Sequence, residues 1–142
     1  MSYYNTKQAL LTQLINNLPT GLAVGDVAFE NKKFDPTNKE AWLSVYFFPA
    51  TTESTGKTQA SSDEQRGFLQ VSVFVALNSS EYDNRQLGLV DEIINTFSYN
   101  TKMDFLTQTV QTLDSTVNTG EENESWYQRV ITINYLTFSN RG

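Results

Sequence analysis

Residues 66–77 read Arg66-Gly67-Phe68-Leu69-Gln70-Val71-Ser72-Val73-Phe74-Val75-Ala76-Leu77, and their spacing decides the fold. Leu69, Val71, Val73, Val75 and Leu77 alternate onto one face, while Gln70 and Ser72 fall on the other with Phe74. A period of two over this length is the mark of a strand with one face in the core. The core face needs cover, and the flanking sequence supplies it. Downstream, Ser80 or Asp83 is placed to cap a helix whose stripe is Leu87, Val90, Ile94 and Phe97. Gly88 inside that helix would permit close packing on the sheet.

Upstream, Ala41 to Phe48 is apolar on both faces, as in a strand covered on both sides, and Pro49 ends it. Residues 50–65 hold four Thr, three Ser and one Gly with only two Ala as apolar side chains, which reads as a long exposed loop. Leu22 to Phe29 is a shorter strand candidate. At the N-terminus, Asn5 and Gln8 have capping-box spacing, and Leu10, Leu11, Leu14, Ile15 and Leu18 form one stripe. These residues predict a helix over about 5–17, stopped by Leu18-Pro19-Thr20-Gly21. The C-terminal forty residues predict a hairpin: 103–117, a turn at 118–124, then 126–138. The resulting expectation is one α+β domain over 1–142, with two helices on one face of a mostly antiparallel sheet of about five strands.

The 142 residues carry 16 acidic and 10 basic side chains, a net charge of −6, with no basic cluster larger than Lys32-Lys33. Such a surface does not hold a nucleic-acid backbone by counterion release. Cysteine and histidine are both absent, which removes disulfides, thiolate or imidazole metal sites and Ser-His or Cys-His nucleophiles. No run has the length of a signal-peptide core or a membrane span, so the expectation is a protein used without Sec export or membrane insertion.

Gly56-Lys57-Thr58 copies the end of a phosphate-binding loop, but position 51, where that motif needs glycine, is Thr51, and no helical stripe follows. It reads as a surface loop. The acidic clusters Asp63-Glu64 and Glu121-Glu122-Glu124 lie among polar neighbours, without the apolar pocket that raises a carboxylate pKa for catalysis. The EF-hand order of ligands is not met near 114–124, and we expect no catalytic residue, metal or cofactor. Trp42, Tyr46 and Phe48 make an aromatic row on one strand face, read as core or subunit-interface packing before a sugar-stacking platform. Arg66-Gly67 reads as a bend or bulge with a solvated arginine, or as one side of an inter-subunit ion pair.

The ordered series Phe29-Glu30-Asn31-x-x-Phe34-x-Pro36, Trp42-Leu43-x-Val45, Phe48-Pro49-Ala50, Thr55-Gly56, Arg66-Gly67-Phe68-Leu69-Gln70-Val71-x-Val73-Phe74 and Asp91-x-Ile93-Ile94-x-x-Phe97 resembles the tail terminator proteins of long-tailed bacteriophages. Asn78-Ser79-Ser80 stands where a glycine-rich turn is common in that family. The resemblance implies a structural virion protein rather than an enzyme. It would form a ring, usually a hexamer, that caps the tail tube at the head-proximal end, stops tube polymerisation and presents a surface to the head-neck connector. Assembly would take place in the host cytoplasm, and DNA would pass through the ring without specific binding. On this view Arg66, Trp42 and Tyr46 are subunit-interface candidates, and Glu121, Glu122 and Glu124 are candidates for facing the lumen or the tube. Another phage neck or head-tail adaptor protein, or a carbohydrate-binding module, is the alternative.

Overall fold

The computed structural model describes residues 3–51, 65–77 and 83–139. In chain order it has α1 (Tyr3–Asn16), a single 3-10 turn (Val24–Asp26), β1 (Val27–Ala28), β2 (Ala41–Thr51), β3 (Gln65–Ala76), α2 (Asn84–Thr96), β4 (Lys102–Phe105), β5 (Gln108–Val117), β6 (Glu121–Asn123) and β7 (Trp126–Ser139). The strands form one sheet in the order β1-β2-β3-β7-β5-β4, with β6 added on β7. The α+β architecture is the expected one, with seven strands rather than about five. All described pairs are antiparallel except β1 with β2.

The alternation in 66–77 puts β3 at the centre. Leu43 and Ile131 flank its core face through the pairings Leu43↔Val73 and Val71↔Ile131, and Leu69 lies opposite Ile133. Leu10, Leu11 and Leu14 of α1, with Leu89, Val90 and Ile93 of α2 and the adjoining Phe97, close over this face. Both helices therefore lie on one side. Each large apolar side chain buried there contributes about 1.5–3 kcal/mol relative to exposure.

Gly67 has a use that composition does not show. Tyr135 lies opposite it in the register and is fully buried. With no Cβ beneath it, the Tyr135 ring crosses β3, stacks near Phe47 at 6.2 Å, and donates its hydroxyl to the Phe48 carbonyl at 3.1 Å. Of the bend or bulge read at Arg66-Gly67, β3 itself shows no break in register with β7 from Gln65 to Ala76, and its ladder with β2 is irregular directly opposite Gly67. The shift falls in β2, between Phe48 and Thr51.

Several sequence expectations change. The strand over 22–29 contracts to Val27–Ala28, since Gly25 and Asp26 take up the 3-10 turn and Asp26 accepts from the Ala23 amide at 2.9 Å. The N-terminal helix starts at Tyr3, so Asn5 lies within the first turn rather than at the cap. Asp83 occupies the cap position of α2 but makes no side-chain cap bond; its carboxylate goes to Arg129 at 3.3 Å. The buried stripe of α2 is Gln86, Leu89, Val90 and Ile93, and Leu87 is 40% exposed. Gly88 is exposed, with open space where its side chain would be, so it does not serve close packing. The predicted 103–117 strand is two, joined by a Leu106-Thr107 turn, and the 118–124 turn contains β6. Asp63, Glu64, Thr55-Gly56, Lys57-Thr58 and Asn78-Ser79-Ser80 lie outside the described residues.

Candidate functional site

The sheet face away from the helices carries Trp42, Ser44, Tyr46 and Phe48 from β2, Phe68, Gln70, Ser72 and Phe74 from β3, and Gln128, Val130, Thr132, Asn134 and Leu136 from β7. Two aromatic blocks occupy its ends. At one end Trp42 stacks on its cross-strand partner Phe74 with ring centres 3.9 Å apart and planes 4° apart. Trp126 meets Trp42 edge-on at 5.8 Å, and Phe34 tilts over it at 5.0 Å. Asn31, in the left-handed region at φ 57°, turns the 30–40 connection that brings Phe34 there. Asparagine tolerates that conformation because its short polar side chain serves the local backbone. Glu30 accepts from the outward amide of Phe47. At the other end Phe48 stacks on Phe68 at 4.3 Å.

Between the blocks the face is polar. Ser44 and Ser72 are buried, and Gln128 Nε2 donates to Ser72 Oγ at 3.3 Å. The aromatic row is thus real but divided: Trp42 spends both ring faces on Phe74 and Phe34, whereas Tyr46 is 47% exposed. A sugar-stacking platform would need an open ring face, which Trp42 does not offer. Its Nε1 is buried without a hydrogen-bond partner in the described structure. Such an orphan costs about 1–3 kcal/mol, offset here by the aromatic packing.

Arg66 lies at the Phe48–Phe68 end, eight residues along β3 from the partner of Trp42. At about 3.4 Å per residue, Trp42 and Arg66 stand roughly 27 Å apart. Arg66 lines an open cavity of 390 Å³ with Phe68, Leu113, Asp114, Asn134 and Tyr135. β5 shifts register between Thr112 and Ser115, so Leu113 and Asp114, which line the cavity, have no partner in the β7 ladder. Asn134 Nδ2 satisfies the Asp114 carbonyl freed by that shift, at 3.0 Å.

Glu121, Glu122 and Glu124 are brought together at the opposite end of the sheet, all exposed. β6 pairs Glu121 with Gln128 and Glu122 with Tyr127, and Glu124 turns the chain at φ 55°. Asn123 Nδ2 ties the tip to Gln128 Oε1 at 3.1 Å. No group of three or more acidic side chains among the described residues is placed to share a metal ion.

The carboxylates with perturbed pKa values hold loops. The Lys39 ammonium, 2.8 Å away, holds Asp26 below the usual carboxylate range, aided by the Ala23 amide. Hydrogen bonds from Thr37 lower Asp35 in the same direction. A further polar cluster lies on the helix-covered face. Fully buried Gln86 donates to the carbonyls of Val73 and Tyr127 at 2.9 and 3.0 Å and accepts from Arg129 Nε at 3.2 Å. Arg129 also bonds Asp83 and the Asn118 carbonyl, and lies 6.0 Å from the centre of the Tyr127 ring. This cluster ties α2 to β7 and the acidic hairpin; no residue spacing announces it.

Comparison with known proteins bears on what such a surface is for. A family model described as phage tail terminator protein matches residues 6–135. Sixteen solved chains match the fold. One of them, which carries no functional name, aligns over 100% of this chain and 98% of its own, with a TM-score of 0.68 and 20% identity. No curated protein sequence matches.

Proposed function

The chain belongs to the phage tail terminator family, and on that premise we propose that it forms a ring that caps the phage tail tube, ends tube polymerisation and offers the joining surface to the head-neck connector. The ring is a homo-oligomer, a hexamer by resemblance, seated at the head-proximal end of the tail after assembly in the host cytoplasm. The observation that carries this reading is the family match across residues 6–135. Two features of the surface support it. A helix-free sheet face with exposed Tyr46 at its middle and Arg66 at one end suits contact between subunits, with Trp42 packed against Phe74 at the other end. An acidic tip at Glu121, Glu122 and Glu124 suits a lumen or tube-facing edge, since DNA slides past negative charge without adhering.

The test is tube growth. Tail-tube subunits polymerised with increasing amounts of this protein stop at a fixed number of capped ends under the proposal. Growth unaffected at molar excess contradicts it. Charge reversal at Glu121, Glu122 and Glu124 is expected to leave the fold intact and impair tail joining or DNA passage; normal joining and passage would show that the tip faces neither lumen nor tube.

A further inference from the structure

Along the core-facing side of β7 the residues run Tyr127, Arg129, Ile131, Ile133 and Tyr135, so an arginine stands where the alternation calls for an apolar side chain. Its side chain is only 14% exposed. A charge held that far from water is costly unless its donors find partners. Two of them go to the start of α2, Nε to Gln86 Oε1 at 3.2 Å and Nη2 to Asp83 Oδ2 at 3.3 Å. The third, Nη1, crosses to the Asn118 carbonyl at 3.2 Å.

Asn118 is where the neighbouring ladder breaks. β5 follows β7 as far as Val117↔Ile131 and β6 resumes at Glu121↔Gln128, so Asn118, Thr119 and Gly120 stand opposite only Arg129 and Val130. An extra residue on one strand is a bulge, where the ladder is interrupted and the chain bends. Beyond it β6 pairs only Glu121, Glu122 and Asn123 with β7, and all three are exposed. So short an edge strand opens readily unless something else holds it. The β7 half of the hairpin does not share that weakness. Trp126, Tyr127 and Gln128 pair with β3, and the Leu77 amide donates to the Ser125 carbonyl at 3.1 Å.

We propose that Arg129 is the positioning residue of the acidic hairpin: it locks the bulge at 118–120 to α2, and without it residues 118–124 swing away from β7 while the rest of the fold stands. The surroundings of the bulge fit this role. The Asn118 side chain accepts from the Val130 amide at 2.7 Å, which secures the bulge from the strand side while Arg129 secures it from the helix side. The Tyr127 ring occupies the place where a side chain at Gly120 would stand, and the Arg129 guanidinium lies 6.0 Å from the centre of that ring. A lysine could not do the same, because one ammonium has no planar fork to serve α2 and the bulge together. The lock fixes Glu121, Glu122 and Glu124 relative to α2, and its use rests on the reading above that this tip faces the lumen or the tube.

The test is a pair of spin-label distances on the full chain, which has no cysteine of its own to interfere. One pair, Glu122→Cys with Asp91→Cys, spans the hairpin and α2; the other, Thr116→Cys with Asp91→Cys, ends before the bulge. Labelled chain is diluted with unlabelled chain so that only distances within one copy are read. Introducing Arg129→Met should broaden the first distribution about twofold or more and leave the second unchanged. Arg129→Lys keeps a charge beside Asp83, so it should fold even if Arg129→Met does not, and it should broaden the first distribution in the same direction. Distributions as narrow as wild type in both variants, or equal broadening of both pairs, would overturn the lock. Tube capping by the unlabelled Arg129 variants separates the two readings: a loosened hairpin with normal capping leaves the lock standing and shows that the tip does not face the tube.

Discussion

The two faces of the sheet are made by the same strands and differ in what covers them. On the helix side, Leu69, Val71, Val73, Ile131 and Ile133 have no exposure, and the polar intruders Gln86 and Arg129 are tied into bonds. On the other side, aromatic rings pair across strands in two blocks, with serines and glutamines between them and the edges left in water. One face is built to hold the chain together. The other is packed in two aromatic blocks without helices over it.

The largest difference is expected between a substitution on the covered face and one on the open face. Ile133→Ala, on the covered face, should cost about 2–5 kcal/mol in urea unfolding, because the site cannot collapse around the cavity. Phe48→Ala, 39% exposed on the open face, should cost about 1 kcal/mol, mainly its stack on Phe68. Equal losses would mean that the open face is core. Gln86→Ala comes next, at about 2–3 kcal/mol, since it removes bonds from two carbonyls and from Arg129 in a buried place. Gly120→Ala sharpens the picture at the hairpin. A Cβ there would run into the Tyr127 ring, so the ring must move, at about 1–3 kcal/mol by thermal unfolding.

The smallest effect is electrostatic. Asp26 has its folded pKa lowered from 3.8, first by the hydrogen bond from Lys39. Its contribution is therefore fully present above the unfolded value and fades as pH falls through the folded one. Lys39→Met should be slightly less stable than wild type near neutral pH, and the two unfolding curves should converge as pH falls from about 5 to 2. A constant gap across that range would assign the loss to packing against Phe34 instead, which the Lys39 ammonium overlies at 5.8 Å.

What the sequence made legible was whatever follows a period. The alternation of 66–77 placed the central strand and its covered face, and the leucines of 10–14 placed α1. Where period and chemistry compete, chemistry won: α2 turns Gln86 inward and Leu87 outward because Gln86 reaches two strand carbonyls and Arg129. Arg66-Gly67 looked like a bend because the reason for the glycine, the Tyr135 ring passing over it, comes from a strand 68 residues later. The register shift in β5 between Thr112 and Ser115 has no composition of its own. The aromatic row and the acidic tip were legible as residues, while the 27 Å between Trp42 and Arg66 (roughly, at the strand rise) needed the register.

Whether the chain closes into a ring decides its place at the tail end. Purified protein examined by light scattering and negative-stain imaging, with and without tail-tube subunits, should appear as a closed ring of about six copies by family resemblance, alone or on the tube end. A monomer in both conditions, indifferent to the tube, would contradict it.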